Sequence, residues 1–256
     1  MPCLRLGKGK TLRRIEAVEI GTKTVFRVMI VGGKTEKHLP YFEVLDALQS
    51  AKRCPFCELE ERIMHRYFEM LFYERVNDAG VSMELARSKG FCNKHAHYLL
   101  RFLDSLGTAL IYQRQAGIFL NFLEANASRS LLLPPGNLAG AWNTHEPCPA
   151  CRKQKESRTR HAKTMLKWME EAEMRAAFEA SPGLCVPHFL FIQELAEKGE
   201  RIYIFKKQFS RTKELLDDLE EMIRKKDYRF SGEPAGKEAD AWSRAVEFLT
   251  GAQDIF

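Results

Sequence analysis

Six cysteines and two histidines sit at spacings that could hold metal ions. Cys54 and Cys57 form a C-x2-C pair, and Cys92 and His95 form a C-x2-H pair with 34 residues between Cys57 and Cys92. The same order returns as Cys148 and Cys151, then Cys185 and His188, with 33 residues in between. Three thiolates and one imidazole converging on a point make the Cys3His donor set of a tetrahedral metal site. A C-x2-C pair aims both sulfurs inward, and a C-x2-H pair in the first turn of a helix places its ligands at i and i+3 on one face. Pro55 and Pro149, each directly after a cysteine, suit the first helical position, where no amide donor is lost. Gly90 and Gly183 suit a tight backbone entry to the next helix. Sulfurs at helix N-termini also feel the positive end of the dipole, which favours thiolate.

Zinc is the metal this donor set favours, two ions per chain, each closed by four protein ligands and hence structural. Two iron–sulfur clusters are the alternative. A thiol oxidoreductase is a second alternative, because CPFC resembles glutaredoxin-like thiol pairs, but no βαβ pattern is evident before Cys54. Small buried hydrophobic cysteines would leave the paired histidines unexplained. We take each Cys pair to be closed by the Cys–His pair of its own half, because the ligand order repeats intact within each half. Cys3 is left over. His65, His97 and His161 receive no role, and His145, three residues before Cys148, is a weak alternative ligand. The Cys-Pro dipeptides are too short to carry a haem argument. No Ser/His/Asp set, phosphate-cradling glycine loop or carboxylate pair stands out, so no catalytic residue is assigned and the reading leans away from an enzyme.

The elements that must position these residues are duplicated. At a shift of 93, Gly90, Phe91, Cys92 and His95 fall on Gly183, Leu184, Cys185 and His188, while Cys54, Pro55 and Cys57 match Cys148, Pro149 and Cys151 at a shift of 94. Helical periodicity dominates: Leu59, Ile63, Tyr67 and Leu71 step along one face, and Leu99, Leu103, Leu106 and Leu110 repeat at threes and fours. Ile202, Phe205, Phe209, Thr212, Leu216, Leu219 and Ile223 keep an a/d heptad rhythm, and Ala109, Tyr112, Ala116, Phe119 and Leu123 share the register of the first five. Two long helices follow, expected to pack together and bury their apolar stripes as core. The expected fold is mainly α: a small N-terminal β-hairpin over 1–38, a first helical Cys3His unit over 39–126, and a linker over 127–147 containing Pro134, Pro135, Gly136 and Gly140. A second helical Cys3His unit spans 148–226, and a turn and helix span 227–256. Asp227, Arg229, Glu233 and Arg244 could clasp this tail onto the rest, and a partner-binding surface around Trp242 is the sharper alternative.

The formal charge of +6 is mild. Basic clusters such as RKQKESRTR are interleaved with acidic residues, so nucleic-acid binding is not expected. No stretch approaches the roughly 20 apolar residues of a membrane span, and the basic start lacks the apolar run of a signal peptide. A cytoplasmic protein is expected, where patterned cysteines point to metal more than to disulfides.

The motifs LPYFEVLDAL, CPFC, YERVND, GFCNKH, GLCVPH and DYRFSGEPAGKEADAWSRAVEFL resemble those of an uncharacterised prokaryotic family, a domain of unknown function, from about Leu39 to the C-terminus. The resemblance implies a prokaryotic origin and metal-type cysteines, and lends no activity or substrate. Residues and resemblance together lead us to expect a non-enzymatic helical adaptor or binding module for an unidentified protein partner, with two zinc sites.

Overall fold

In the computed structural model the described residues are 15–20, 23–28, 37–130, 137–143, 145–230 and 232–256, with the backbone alone for 15–20, 23–28, 128–130 and 137. Cys3, Gly21, and Pro134, Pro135 and Gly136 of the linker lie outside them. Two units are distinguished, Met1–His38 and Leu39–Phe256. Within the first, Ile15–Ile20 (β1) pairs antiparallel with Lys23–Val28 (β2). The expected hairpin otherwise falls outside the described residues.

The second unit is helical, as the periodicity predicts. α1 (Leu39–Ser50) buries Tyr41, Val44, Leu45 and Leu48, and α2 (Pro55–Met70) buries Phe56, Leu59, Ile63 and Phe68, each at helical spacing. α2 runs on into a π-helical turn, Leu71–Arg75. α3 (Ala79–Ser88) is capped by the Asp78 carboxylate, which accepts a hydrogen bond from the Val81 amide. α4 (Asn93–Leu99), α5 (Ser105–Ser130) and α6 (Asn137–Asn143) complete the first repeat. The second repeat comprises α7 (Pro149–Trp168), α8 (Ala172–Ala180), α9 (Val186–Leu195) and α10 (Lys198–Lys225), and α11 (Ala241–Thr250) carries the tail.

The first helices of the two repeats, α2 and α7, pack against each other antiparallel. Glu60, early in α2, meets Gln154 and Arg158 of α7, while Tyr67, late in α2, shares a cleft with Pro149 at the start of α7. The core accordingly falls into two clusters. One gathers α1, the start of α2, the end of α7, α8 and α9; the other gathers the end of α2 with α3, α4 and the first turns of α5 and α7. Each cluster draws on both repeats.

The long helices depart from expectation. α5 and α10 do not pack along one another: α5 rests on α3 and α6, and α10 on α9 and α11. Much of each apolar stripe is exposed, including Leu106, Leu110, Phe119 and Leu123 on α5 and Ile202, Phe205, Phe209, Leu216 and Ile223 on α10. Periodicity identified the stripes but not what covers them. The tail is clasped by charge, though only partly by the expected residues. Arg244 bridges Asp218 and Asp240, and Glu233 pairs with Arg224, whereas Asp227 and Arg229 pair with each other. Lys237 and Glu238 supply further ties, to Asp218 and Lys225.

Candidate metal centres

The eight donors gather into two groups: Cys54, Cys57, Cys185 and His188, and Cys92, His95, Cys148 and Cys151. Within each, one ligand atom from every residue lies within 4.8 Å of all the others. Each group could hold a metal ion. The pairing is crossed, so the expectation that each Cys pair is closed by the Cys–His pair of its own half is corrected. Helix length explains why. α2 carries the chain about 24 Å away from Cys54 before its π-turn, and the ten residues of α3 return only about 15 Å. Cys92 and His95 are thus left beside the far end of α2, where His95 lies 6.3 Å from the Phe68 ring. In the second half α7 has 20 residues and α8 only 9, a larger mismatch. Because α2 and α7 are antiparallel, the far end of each lies beside the cysteine pair of the other.

Local geometry is the same at all four ligand pairs. Cys54, Cys92, Cys148 and Cys185 are the N-cap residues of α2, α4, α7 and α9, and the second ligand follows at the third helical position. Each N-cap carbonyl accepts the first helical hydrogen bond, from Glu58, Ala96, Arg152 and Phe189 at 2.8–3.3 Å. Pro55 and Pro149 occupy the first helical position, as expected. Gly90 and Gly183 enter with φ of +94° and +92°, a conformation L side chains rarely adopt. Gln208 holds the second of these turns by donating to the Leu184 carbonyl at 2.8 Å.

Two helix N-termini therefore face each other at each centre. Their dipoles contribute roughly half a positive charge apiece, so three thiolates with a divalent cation come close to neutrality. Donor separations fit one ion. Cys57 and Cys185 Sγ are 3.6 Å apart, and Cys92 and Cys151 Sγ 3.5 Å. A tetrahedron with metal–sulfur bonds of about 2.3 Å has edges of about 3.8 Å. His188 Nδ1 lies 3.1–3.5 Å from its three sulfurs and His95 Nδ1 3.3–3.7 Å from its own, so both imidazoles offer the same nitrogen.

The surroundings of the two centres differ. His188 Nε2 lies 2.9 Å from the Glu60 carboxylate, which also accepts from Gln154 Nε2 at 2.7 Å and is gripped by the Arg158 guanidinium. A carboxylate behind a ligating imidazole fixes its tautomer and raises its basicity. Burial alone would push the Glu60 carboxyl up, yet the hydrogen bonds from Arg158 and His188 hold it below its ordinary value. Burial likewise opposes charge on His188, but the three thiols and Glu60 hold it well above its usual range. His95 Nε2 is buried without a hydrogen-bond partner. Burial brings that imidazole down to about 4, with Lys94 reinforcing the effect and Gln154 beside it opposing, though Gln154 is turned to Glu60. At the shift of 94 that aligns the cysteine pairs, Gln154 is the counterpart of Glu60. One repeat thus supplies the carboxylate and the other an amide. At the second centre burial pushes the Cys148 thiol up, and the Cys151 thiol up to about 12 with Cys148 adding to the effect, so metal-free these two stay protonated.

The chain's end closes over the first centre. The Ala252 amide lies 3.4 Å from Cys57 Sγ, and the Phe256 ring packs edge-on against His188 at 4.8 Å and under Arg158 at 4.4 Å. Gly251, at φ +84°, makes that return: a Cβ there would lie 2.5 Å from the Phe256 ring. The sequence reading missed Glu60, Gln154, Arg158 and Phe256. Glu60 and Gln154 were findable as aligned polar residues three positions after the second cysteine of each pair. Cys3 lies outside the described residues, and His145 is exposed, contacts the Glu146 carbonyl and belongs to neither group. No described helix is long and apolar enough to cross a membrane.

Comparison with known proteins adds kinship. The chain is 27% identical over 207 residues to an uncharacterised 23.9 kDa protein in the xynA 3′ region of Caldicellulosiruptor sp. (strain Rt8B.4), covering 78% of this chain and 96% of that protein. No solved structure matches. Residues 36–255 match a family of unknown function, DUF6062, and the chain belongs to that family.

Proposed function

We propose that the protein is a non-enzymatic helical scaffold whose repeats are stapled together by two structural zinc ions, and that it works as an adaptor or binding module. The crossed donor sets carry this reading. Each set takes two donors from each half of the chain, so an ion at either centre ties together segments more than fifty residues apart, which folding alone must otherwise hold. Four protein donors per ion leave no position for a reacting water, the arrangement of structural rather than catalytic zinc. Sulfur separations of 3.5–3.6 Å suit a single ion better than a cluster that spreads its thiolates over several irons. Exposed Trp242, Val246 and Leu249 along one side of α11 are consistent with a binding role.

Elemental analysis of protein purified without oxygen and without added metal tests the proposal. About two zinc per chain is the expected result. Several irons with matching sulfide would make it an electron-transfer protein, and a metal-free chain with reversible disulfides would make it a thiol oxidoreductase. Either result overturns the zinc scaffold.

A further inference from the structure

α10 is an amphipathic helix turned outward. Its inward side holds the chain with polar groups: Lys207 to Glu179, Gln208 to Leu184, Arg211 to the Ser181 carbonyl, and Asp218 to Lys237 and Arg244. Among its apolar residues, Ile204 is fully buried. The heptad stripe points to solvent instead, with Ile202 51%, Phe205 57%, Phe209 66%, Leu216 53% and Ile223 70% exposed. It runs about 32 Å along the surface. A period of 3.5 rather than 3.6 residues is the pattern of a helix that pairs with another helix along its length. α5 does not fill that role in the fold.

We propose that α10 pairs antiparallel with α10 of a second copy of this chain, forming a two-fold symmetric dimer. Charge selects the partner and the direction. The exposed charges from Lys198 to Lys213 are Lys198, Arg201, Lys206 and Lys213, all basic; those from Glu214 to Ile223 are Glu214, Asp217 and Glu220, all acidic. A helix with opposite charges on its two halves complements a reversed copy of itself. Flank positions of the heptad agree. A parallel pair would set Arg201 of one copy against Lys206 of the other. An antiparallel pair sets Lys206 against Glu220, twice by symmetry, with Phe205 over Ile223, Phe209 over Leu219 and Thr212 over Leu216 of the partner. Lys213 then meets its own counterpart at the two-fold axis, flanked by two Glu214 carboxylates. The dimer does not depend on which metal the chain binds.

Sedimentation equilibrium of the full chain as purified, from micromolar to sub-millimolar concentration, tests this. The expected species is a dimer that Phe209→Glu, and separately Ile223→Glu, converts to a monomer of unchanged helicity. Lys206→Glu should weaken the dimer about tenfold, and Lys206→Glu combined with Glu220→Lys should restore it, since the pair is exchanged but complementary. A wild-type chain that stays monomeric throughout overturns the proposal and leaves the stripe for another protein. A dimer indifferent to Phe209→Glu overturns it as well. Failure of the double exchange to restore association overturns the antiparallel pairing.

Discussion

Replacing Glu60 by Gln should remove the asymmetry between the two candidate centres. In the wild-type chain, His188 is backed by a carboxylate 2.9 Å from its Nε2, whereas the equivalent nitrogen of His95 is buried without a hydrogen-bond partner. Losing such a partner weakens metal affinity by about 10–100-fold, roughly 1.4–2.7 kcal/mol. Exposure adds to the difference, because Cys92 and Cys151 are half-buried while all four residues of the other group are buried. A competing chromophoric chelator should therefore draw metal from wild-type protein in two phases, the first from the Cys92, His95, Cys148 and Cys151 group. Glu60→Gln keeps the volume and an acceptor but removes the charge. It should move the slow phase towards the fast one and leave the fast one in place. Cys92→Ser, which abolishes the weaker centre, should show the slow phase alone. Release of both ions together from wild type, or a Glu60→Gln variant whose slow phase is unmoved, would refute the idea that the carboxylate sets the stronger centre.

Arg158→Met should be among the most damaging single changes away from the donors. It strands the Glu60 carboxylate, 1% exposed, without its cation, and breaking a buried pair from one side costs about 3–5 kcal/mol. Thermal unfolding at matched metal content checks this, and Arg224→Ala, whose partners are exposed, should barely shift the midpoint. His161 gives a pH prediction. Burial holds its pKa below the ordinary 6.5, against the opposing effect of the hydrogen bond that its Nε2 donates to Glu43, so the folded chain keeps it neutral. The unfolded chain takes up that proton first, and the stability this provides is present above pH 6.5 and lost as pH falls below it. His161→Gln, measured by denaturant unfolding at pH 7 and pH 5, should lose less stability over that interval than wild type; an equal loss would rule His161 out.

The residues of the two candidate groups could be picked out in the sequence because metal ligation restricts residue type and spacing at once. Eight residues of two kinds, in one order, twice, leave few other readings. Their N-cap positions were also legible, since Pro55, Pro149, Gly90 and Gly183 each carry a backbone constraint. Which pair closes which was not, because repeated ligand order says nothing of distance. The lengths of α2 and α3, and of α7 and α8, decide it, and those lengths could have been set against each other beforehand. The a/d stripe of α10 invited a second error of the same kind. Apolar periodicity says that a face is suited to burial, and the polar anchors Lys207, Gln208 and Asp218 that turn the stripe outward look in sequence like an ordinary solvated side. The tail clasp was half legible: Glu233 and Arg244 do tie it down, but their partners Arg224 and Asp218 sit in a helix whose placement only the packing reveals.

The crossed pairing is the central claim, and metal content of two double variants tests it directly. Cys54→Ser with Cys185→Ser strikes one centre twice, and Cys54→Ser with Cys92→Ser strikes both centres once. Crossed pairing predicts that the first variant keeps one of the two ions and the second keeps neither. Closure of each half upon itself predicts the reverse, and that result would contradict the account.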